Sequence, residues 1–269
     1  MDPAAVAAMF DRMLAATRYT GHHPPEFLLT HPLTERRISD ARGRLGKYPK
    51  QFYKDNVEYH LMRARALMAI DNNPQRSLKR FQSELDGHSK SSVGARYGQS
   101  LALTALGRQE EARTALQPLL TEDPERLTYQ LAAIAIDRAD GNYPAAQQRI
   151  ATLLPNYGNN YPLQVELSET LLAETRYGES ELILEKLSRQ RPTDPDIWYQ
   201  LAETSGLAGD IPGVHVARAE YFILTGIYDK ARQQLGYAQK LVARDFKQSA
   251  TIRQRLRDLN ELESKSRKL

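Results

Sequence analysis

The sequence predicts an all-α fold: a solenoid of repeated helical hairpins, preceded by two helices that do not belong to the repeat. Three observations predict it. A turn-and-helix pattern recurs, most plainly in GRQEEARTALQPLLTEDPERL (107–127) and TRYGESELILEKLSRQRPTDP (175–195). Each copy places a small residue five positions past the turn (Ala112, Ser180), then two leucines (Leu116 and Leu119, Leu184 and Leu187) and a proline (Pro124, Pro192). Apolar residues fall three and four apart, the period of a helix buried along one side. Nowhere does the chain hold the roughly 20 consecutive apolar residues that a membrane-spanning helix needs.

Residues 2–17 read as a helix, with Asp2 as N-cap, Pro3 at the first helical position and Val6, Met9, Phe10 and Met13 on one face. GHHPPEFLLTHP is a loop, and Thr34 opens a second helix carrying Ile38, Ala41 and Leu45. Two such short helices bury too little surface to stand alone, so residues 1–50 should belong to something larger. Repeats then fill 51–245: a degenerate one at 56–89, followed by copies near 93–126, 127–160, 161–194 and 195–228. VHVARAEYFILTG (214–226) reads both as the second helix of one hairpin and as the first of the next. Pro118 falls inside a second helix, where its missing N–H and its ring predict a kink. Residues 246–269 form a terminal cap, with 250–265 polar on most faces, as a helix closing a solenoid should be.

This pattern resembles the tetratricopeptide repeat, a pair of antiparallel helices about 34 residues long. In DIWYQLAETSGLAGD (196–210), Trp198, Leu201 and Ala202 stand at that family's W, L and G positions, with Gly209 at its turn. Small residues let two helices approach closely, and large ones fill the groove beside them. The resemblance implies a superhelical solenoid whose concave wall, lined by first helices, holds extended peptides or partner helices. By register, Tyr97, Leu131, Glu169, Tyr199 and Glu203 line that wall.

The first fifty residues carry a second resemblance. DPxAxxxxFxxM, a variable loop and FLxTHPxTxxRIxxAR together are similar to the segment that follows the third zinc ligand in gluzincin-type metallopeptidases of bacterial envelopes, with Thr30, His31, Pro32, Arg37, Ile38 and Arg42 on the motif. The resemblance implies that the chain is a C-terminal portion of such a protease, made of the end of its peptidase domain and the repeats. It further implies that His31 is a regulatory ligand that closes over the zinc, held by Pro32, while Arg37 or Arg42 supports the loop through carboxylates of the rest of the peptidase domain. Partners would be the outer-membrane barrel-assembly machinery and unfolded barrel proteins, and the location would be the periplasm.

Zinc peptidases of this class need HExxH, which sets two imidazoles one helical turn apart on the metal and adds a glutamate to activate water. None of the six histidines (His22, His23, His31, His60, His88, His215) begins that motif. Residues 1–269 should therefore hydrolyse no peptide and hold no cofactor of their own, with zinc expected only in a full-length protease. A full-length product that is an active zinc endopeptidase and a stand-alone adaptor are the alternatives.

Composition agrees with a binding role. There is no cysteine, which excludes disulfides and thiolate metal sites. A net charge of +4 and a pI near 9.1 raise nucleic acid as a partner. Basic and acidic residues are nevertheless interleaved, as in Arg108, Glu110, Glu111 and Arg113, and no basic residue recurs with aromatics at one repeat position. The exception is the stretch from Arg36 to Lys54. The opening MDPAAVAAMFDRML, with Asp2 where a leader carries positive charge, does not read as an export signal. No phosphate-binding glycine loop or GxSxG elbow occurs.

Overall fold

A computed structural model describes residues 4–18, 35–45, 48, 55–88 and 91–266, and every regular element among them is helical. The chain divides into two units, 1–56 and 57–269.

In the first unit, α1 (Ala4–Arg18) packs on α2 (Glu35–Leu45). Ala7 and Ile38 are its buried apolar residues. Val6, Met9 and Met13 are exposed, while Phe10 and Asp11 meet Arg37 and Arg42 of α2.

The second unit consists of hairpins in sequence order. They are α3 (Val57–Asp71) with α4 (Pro74–Ser83), α5 (Ser92–Ala105) with α6 (Gln109–Glu122), α7 (Leu127–Ala139) with α8 (Tyr143–Tyr157), and α9 (Tyr161–Ala173) with α10 (Tyr177–Gln190). Next come α11 (Pro195–Ala208), α12 (Ile211–Leu224), α13 (Tyr228–Leu241) and α14 (Phe246–Ser266). A single π-type turn, Glu84–His88, follows α4. Successive first helices touch, α3 on α5, α5 on α7 and α7 on α9, as stacking of hairpins requires.

Local chemistry starts and stops these helices. Asn73, Ser91, Asn142, Asn160, Asp194 and Asp210 each accept a backbone N–H of the following first turn. After each first helix the chain enters the left-handed region at one residue: Asn72, Gly107, Gly141, Thr175 and Gly209. After the last four, the backbone N–H of the next residue bonds a carbonyl five positions back, for example Arg108 N to Leu103 O at 3.0 Å and Arg176 N to Leu171 O at 2.9 Å. Gly226 makes the same turn, with Ile227 N donating to Phe222 O at 2.8 Å. α12 therefore closes one hairpin after Gly209 and opens another before Gly226, and α14 lies against α13 as a lone final helix.

The residue five past each turn is buried: Ser77, Ala112, Ala146, Ser180, Val214 and Ala231. Where that position carries a hydroxyl it is satisfied: Ser77 Oγ donates to Asp71 Oδ2 at 3.0 Å, and Ser180 Oγ donates to Ser168 O at 2.9 Å and lies 2.9 Å from Ser168 Oγ. A tight approach between neighbouring helices is at α5. A Cβ on Gly98 would stand 2.3 Å from the buried Phe81 ring of α4, and one on Gly94 would stand 2.7 Å from His60 of α3. α14 is polar on most of its surface but buries Ile252 and Leu259, with Leu256 partly covered, against Leu235 and Val242 of α13. Pro118 does not end its helix: α6 continues through it to Glu122, as α8 does through Pro155. Both prolines lie in the last half of helices held by buried apolar neighbours, Leu116 and Leu119 around the one, Ile150 and Leu153 before the other.

Two stability changes follow. Gly98→Ala gains about 1 kcal/mol of helix propensity, but forces a methyl into a fully buried ring, which costs about 1–3 kcal/mol and more where nothing can move; the urea midpoint should fall. Thr175→Gly removes a β-branched residue from a left-handed conformation worth about 1–2 kcal/mol of strain, against about 0.5–1 kcal/mol for the freer unfolded chain. Its midpoint should rise, since the Thr175 side chain is exposed and gives up no packing.

Candidate functional site

Three first helices, α7, α9 and α11, form a groove of about 380 Å³ over Leu184 of α10. Its walls carry Arg138 from α7, Ser168 and Glu169 from α9, and Gln200, Glu203 and Thr204 from α11. Helical spacing explains the grouping: Glu203 and Gln200 are three apart on one face, and Glu169 stands a turn from the inward-facing Val165.

Arg138 organises the charge. Its Nη2 donates to Glu166 Oε2 at 3.0 Å and also pairs with Glu169, while its Nε is buried with no hydrogen-bond partner among the described residues. Glu166 is only 14% exposed at the side chain, and burial pushes its pKa above the ordinary glutamate range despite the neighbouring guanidinium; the Glu169 carboxylate pushes the same way. On α11, the Glu203 carboxylate beside the Tyr199 hydroxyl raises the tyrosine's pKa. Tyr199 is 51% exposed, with its ring edge against Tyr221 at 5.7 Å.

Of the residues expected to line the wall, Glu169 and Glu203 meet in this groove and Tyr199 stands beside it. Tyr97 and Leu131 do not line it. Tyr97 is 0% exposed, its hydroxyl 2.9 Å from Arg65 Nη1 and its ring 6.2 Å from that of Tyr129. Leu131 is 6% exposed and packs with Ile134 and Ile150. The physical reason is size: a large ring or branched chain at that register fills the gap to the next hairpin where no acid holds it toward water. Sequence reasoning missed Arg138 and Glu166. Their one signal is an arginine ending the apolar run of LTYQLAAIAIDRA and an acid three residues before Glu169.

A larger groove, about 530 Å³, opens between the α6–α7 connection and α8, beside Pro124, Gln130, Arg149 and Tyr157. Two of its polar groups are committed to the fold: Gln130 Nε2 donates to Pro124 O at 2.5 Å, and Arg149 donates to Gln130 Oε1 at 3.2 Å and to Asp137 Oδ2 at 2.9 Å. None of the expected wall residues lies in it.

Thr30, His31 and Pro32 lie outside the described residues. The two arginines of that motif find partners on α1: Arg42 Nη2 donates to Asp11 Oδ2 at 2.7 Å, and the Arg37 guanidinium lies 5.7 Å from the Phe10 ring centre. Arg42 thus has a carboxylate in this chain, where one from the rest of a peptidase domain was expected. Among the described residues no three His, Cys, Asp or Glu side chains converge as metal ligands, and none of the helices is long and apolar enough to cross a membrane. The groove offers carboxylates, one guanidinium, an amide and hydroxyls: groups that recognise polar chain by hydrogen bonding.

No protein-family model matches the chain. It is 28% identical over 265 residues to the beta-barrel assembly-enhancing protease of Escherichia coli, a match covering 98% of this chain and 54% of that protein. It is 26% identical over 268 residues to the protein of the same name from Yersinia pestis (99% and 55% covered), and 29% identical over 245 residues to a putative one from Vibrio cholerae (90% and 50%). The chain spans about half the length of the curated relatives it matches, and the match falls on their C-terminal part. Among solved structures, a tetratricopeptide repeat protein from Parabacteroides merdae aligns with a TM-score of 0.47 and 16% identity, covering 98% of this chain and 99% of that one.

The raised pKa of Glu166 has a definite sign. A carboxyl whose folded pKa exceeds its unfolded one holds its proton more tightly in the native state, so its contribution favours the fold at low pH and is lost as pH rises through the raised value. Chemical denaturation from the ordinary glutamate range up to about pH 8 should show Glu166→Gln, which keeps an acceptor for Arg138, free of that decline and at least as stable as the parent at the upper end.

Proposed function

We propose that this chain is the protein-interaction part of an envelope metallopeptidase of the barrel-assembly-enhancing type, and that it holds extended polypeptide in the groove between α7, α9 and α11. The observation that carries the reading is the groove itself: Arg138, Glu169, Gln200 and Glu203 face one cleft built from consecutive first helices, and no three metal-ligating side chains converge among the described residues. An extended segment presents backbone N–H and C=O groups on both edges, which carboxylates and a guanidinium recognise without demanding one side-chain sequence. The relatives' names supply the setting, beta-barrel assembly, and with it the partner class: components of the outer-membrane assembly machinery and barrel proteins not yet folded, met in the periplasm.

On this reading, peptide hydrolysis belongs to a longer protein in which an HExxH helix and a further glutamate hold zinc, and His31 acts from the THP loop as a regulatory ligand. The residues of this chain do not by themselves supply that ligand set, since HExxH does not occur in them. No step of the groove's work runs through the metal. The N-terminal pair α1 and α2 is then the end of the peptidase domain, and Arg42 and Asp11 tie its two helices together.

Site-specific photocrosslinking tests the reading. A photoreactive residue at Tyr199 or Glu203 should capture an unfolded barrel polypeptide or an assembly-machinery component, and one at Leu182, 66% exposed on α10, should not. Capture at Leu182 alone would move the interaction to the second-helix face and sink the groove assignment.

A further inference from the structure

The corner between α13 and α14 concentrates positive charge. Residues 240–257 hold six basic residues, Lys240, Arg244, Lys247, Arg253, Arg255 and Arg257, and one acid, Asp245. Arg255 is turned inward, its Nε and Nη2 at 2.6 and 2.5 Å from the two Glu220 oxygens of α12. The other five are exposed, and none of them enters an ion pair among the described residues. Several arginines of the other helices are paired, as Arg108, Arg113, Arg176 and Arg232 are. The lone acid is occupied too: Asp245 Oδ1 accepts the backbone N–H of Gln248 at 2.9 Å and caps α14, so its charge faces the helix N-terminus.

In the middle of these cations stands Phe246, 82% exposed, with the half-exposed Leu241 on the preceding helix. The packing of α14 does not require it there. The helix seats itself through Ile252, Leu256 and Leu259, and at 3.6 residues per turn Phe246 lies roughly 120° round the axis from Ile252. Arg253 and Arg257, seven and eleven residues on, fall within about 20° of Phe246, so the aromatic heads a basic line along the helix.

We propose that this corner is a docking surface for an anionic phospholipid bilayer, with Phe246 and Leu241 entering the headgroup boundary and Lys240, Arg244, Lys247, Arg253 and Arg257 meeting the phosphates. Charge complementarity names the partner's sign. The apolar tip names its kind: a bilayer interface receives a protruding aromatic without a preformed pocket, whereas an acidic protein would have to supply one. The surface is separate from the groove, none of whose residues it shares.

Cosedimentation of the 269-residue chain with vesicles of pure phosphatidylglycerol and of pure phosphatidylcholine tests it. Binding is expected to the first only, and to weaken with added salt. Reversing Arg244 and Lys247 (Arg244→Glu with Lys247→Glu) should lower partitioning about fivefold or more per residue, and Phe246→Ser should lower it again, both at unchanged circular dichroism. Phe246→Trp should blue-shift on phosphatidylglycerol vesicles beyond any change given by Trp198 in the parent. Equal binding to both lipids, unchanged partitioning of Phe246→Ser, or binding to polyglutamate without binding to vesicles would each overturn the proposal, the last assigning the corner to an acidic protein.

Discussion

Close approach between neighbouring helices is the constraint from which the rest of the second unit follows. A hairpin of two amphipathic helices buries its apolar stripes only if the axes come near enough for side chains to interlock, and that distance is set by the smallest residues at the crossing. Ser77, Ala112, Ala146, Ser180 and Ala231 occupy that crossing in their hairpins, and Gly98 and Gly94 do so where α5 meets α4 and α3. The left-handed turn ahead of each second helix fixes where its first residue starts, so the same position arrives at the crossing in every copy, filled by a small residue in all but the α11–α12 hairpin, where Val214 takes it. Turn and crossing are therefore one device, and moving either by a residue would present a large side chain to the contact.

With the backbone held this way, adjacent residues on a first helix serve opposite purposes. Asp137 and Arg138 are neighbours on α7, roughly 100° apart round the axis. Asp137 is buried and bonds Arg113 of α6 and Arg149 of α8, tying two second helices to the first helix between them. Arg138 reaches Glu166 and Glu169 on α9 and forms one wall of the groove. A buried carboxylate with two guanidinium partners is structural, because removing it would strand charge in the interior. A guanidinium shared by two carboxylates at an open groove leaves acceptor capacity facing outward, which suits it to recognition.

The two proposed surfaces differ in the same physical terms. The groove is concave, its charges are largely matched within the chain, and it offers directional hydrogen bonds to an extended segment. The α13–α14 corner has no concavity of its own among the grooves described, and its cations are unmatched. The first arrangement selects by shape and hydrogen bonding, the second by charge density and an apolar tip.

Periodicity and punctuation are local properties, so the all-helical repeat, its turns and the boundaries of its hairpins could be read from residues such as Ala112, Leu116, Ser180, Leu184, Gly209 and Gly226 alone. The doubled role of α12 was legible too, because it needs only the spacing of two glycines. Which side of a first helix faces the groove was not. Glu169 and Glu203 share their register with Tyr97 and Leu131 to within one turn, yet the acids stay toward water while the ring and the leucine turn into the stack. That outcome depends on the size and polarity of residues on the next hairpin, about 34 positions away, and on the free energy of burying each side chain against them. Arg138, Glu166 and the unmatched cations around Phe246 became visible only once α7 lay beside α9, and once Arg255 was seen to turn toward Glu220 while its neighbours did not. Pairing between distant charges is decided by packing, and packing is a property of the folded chain.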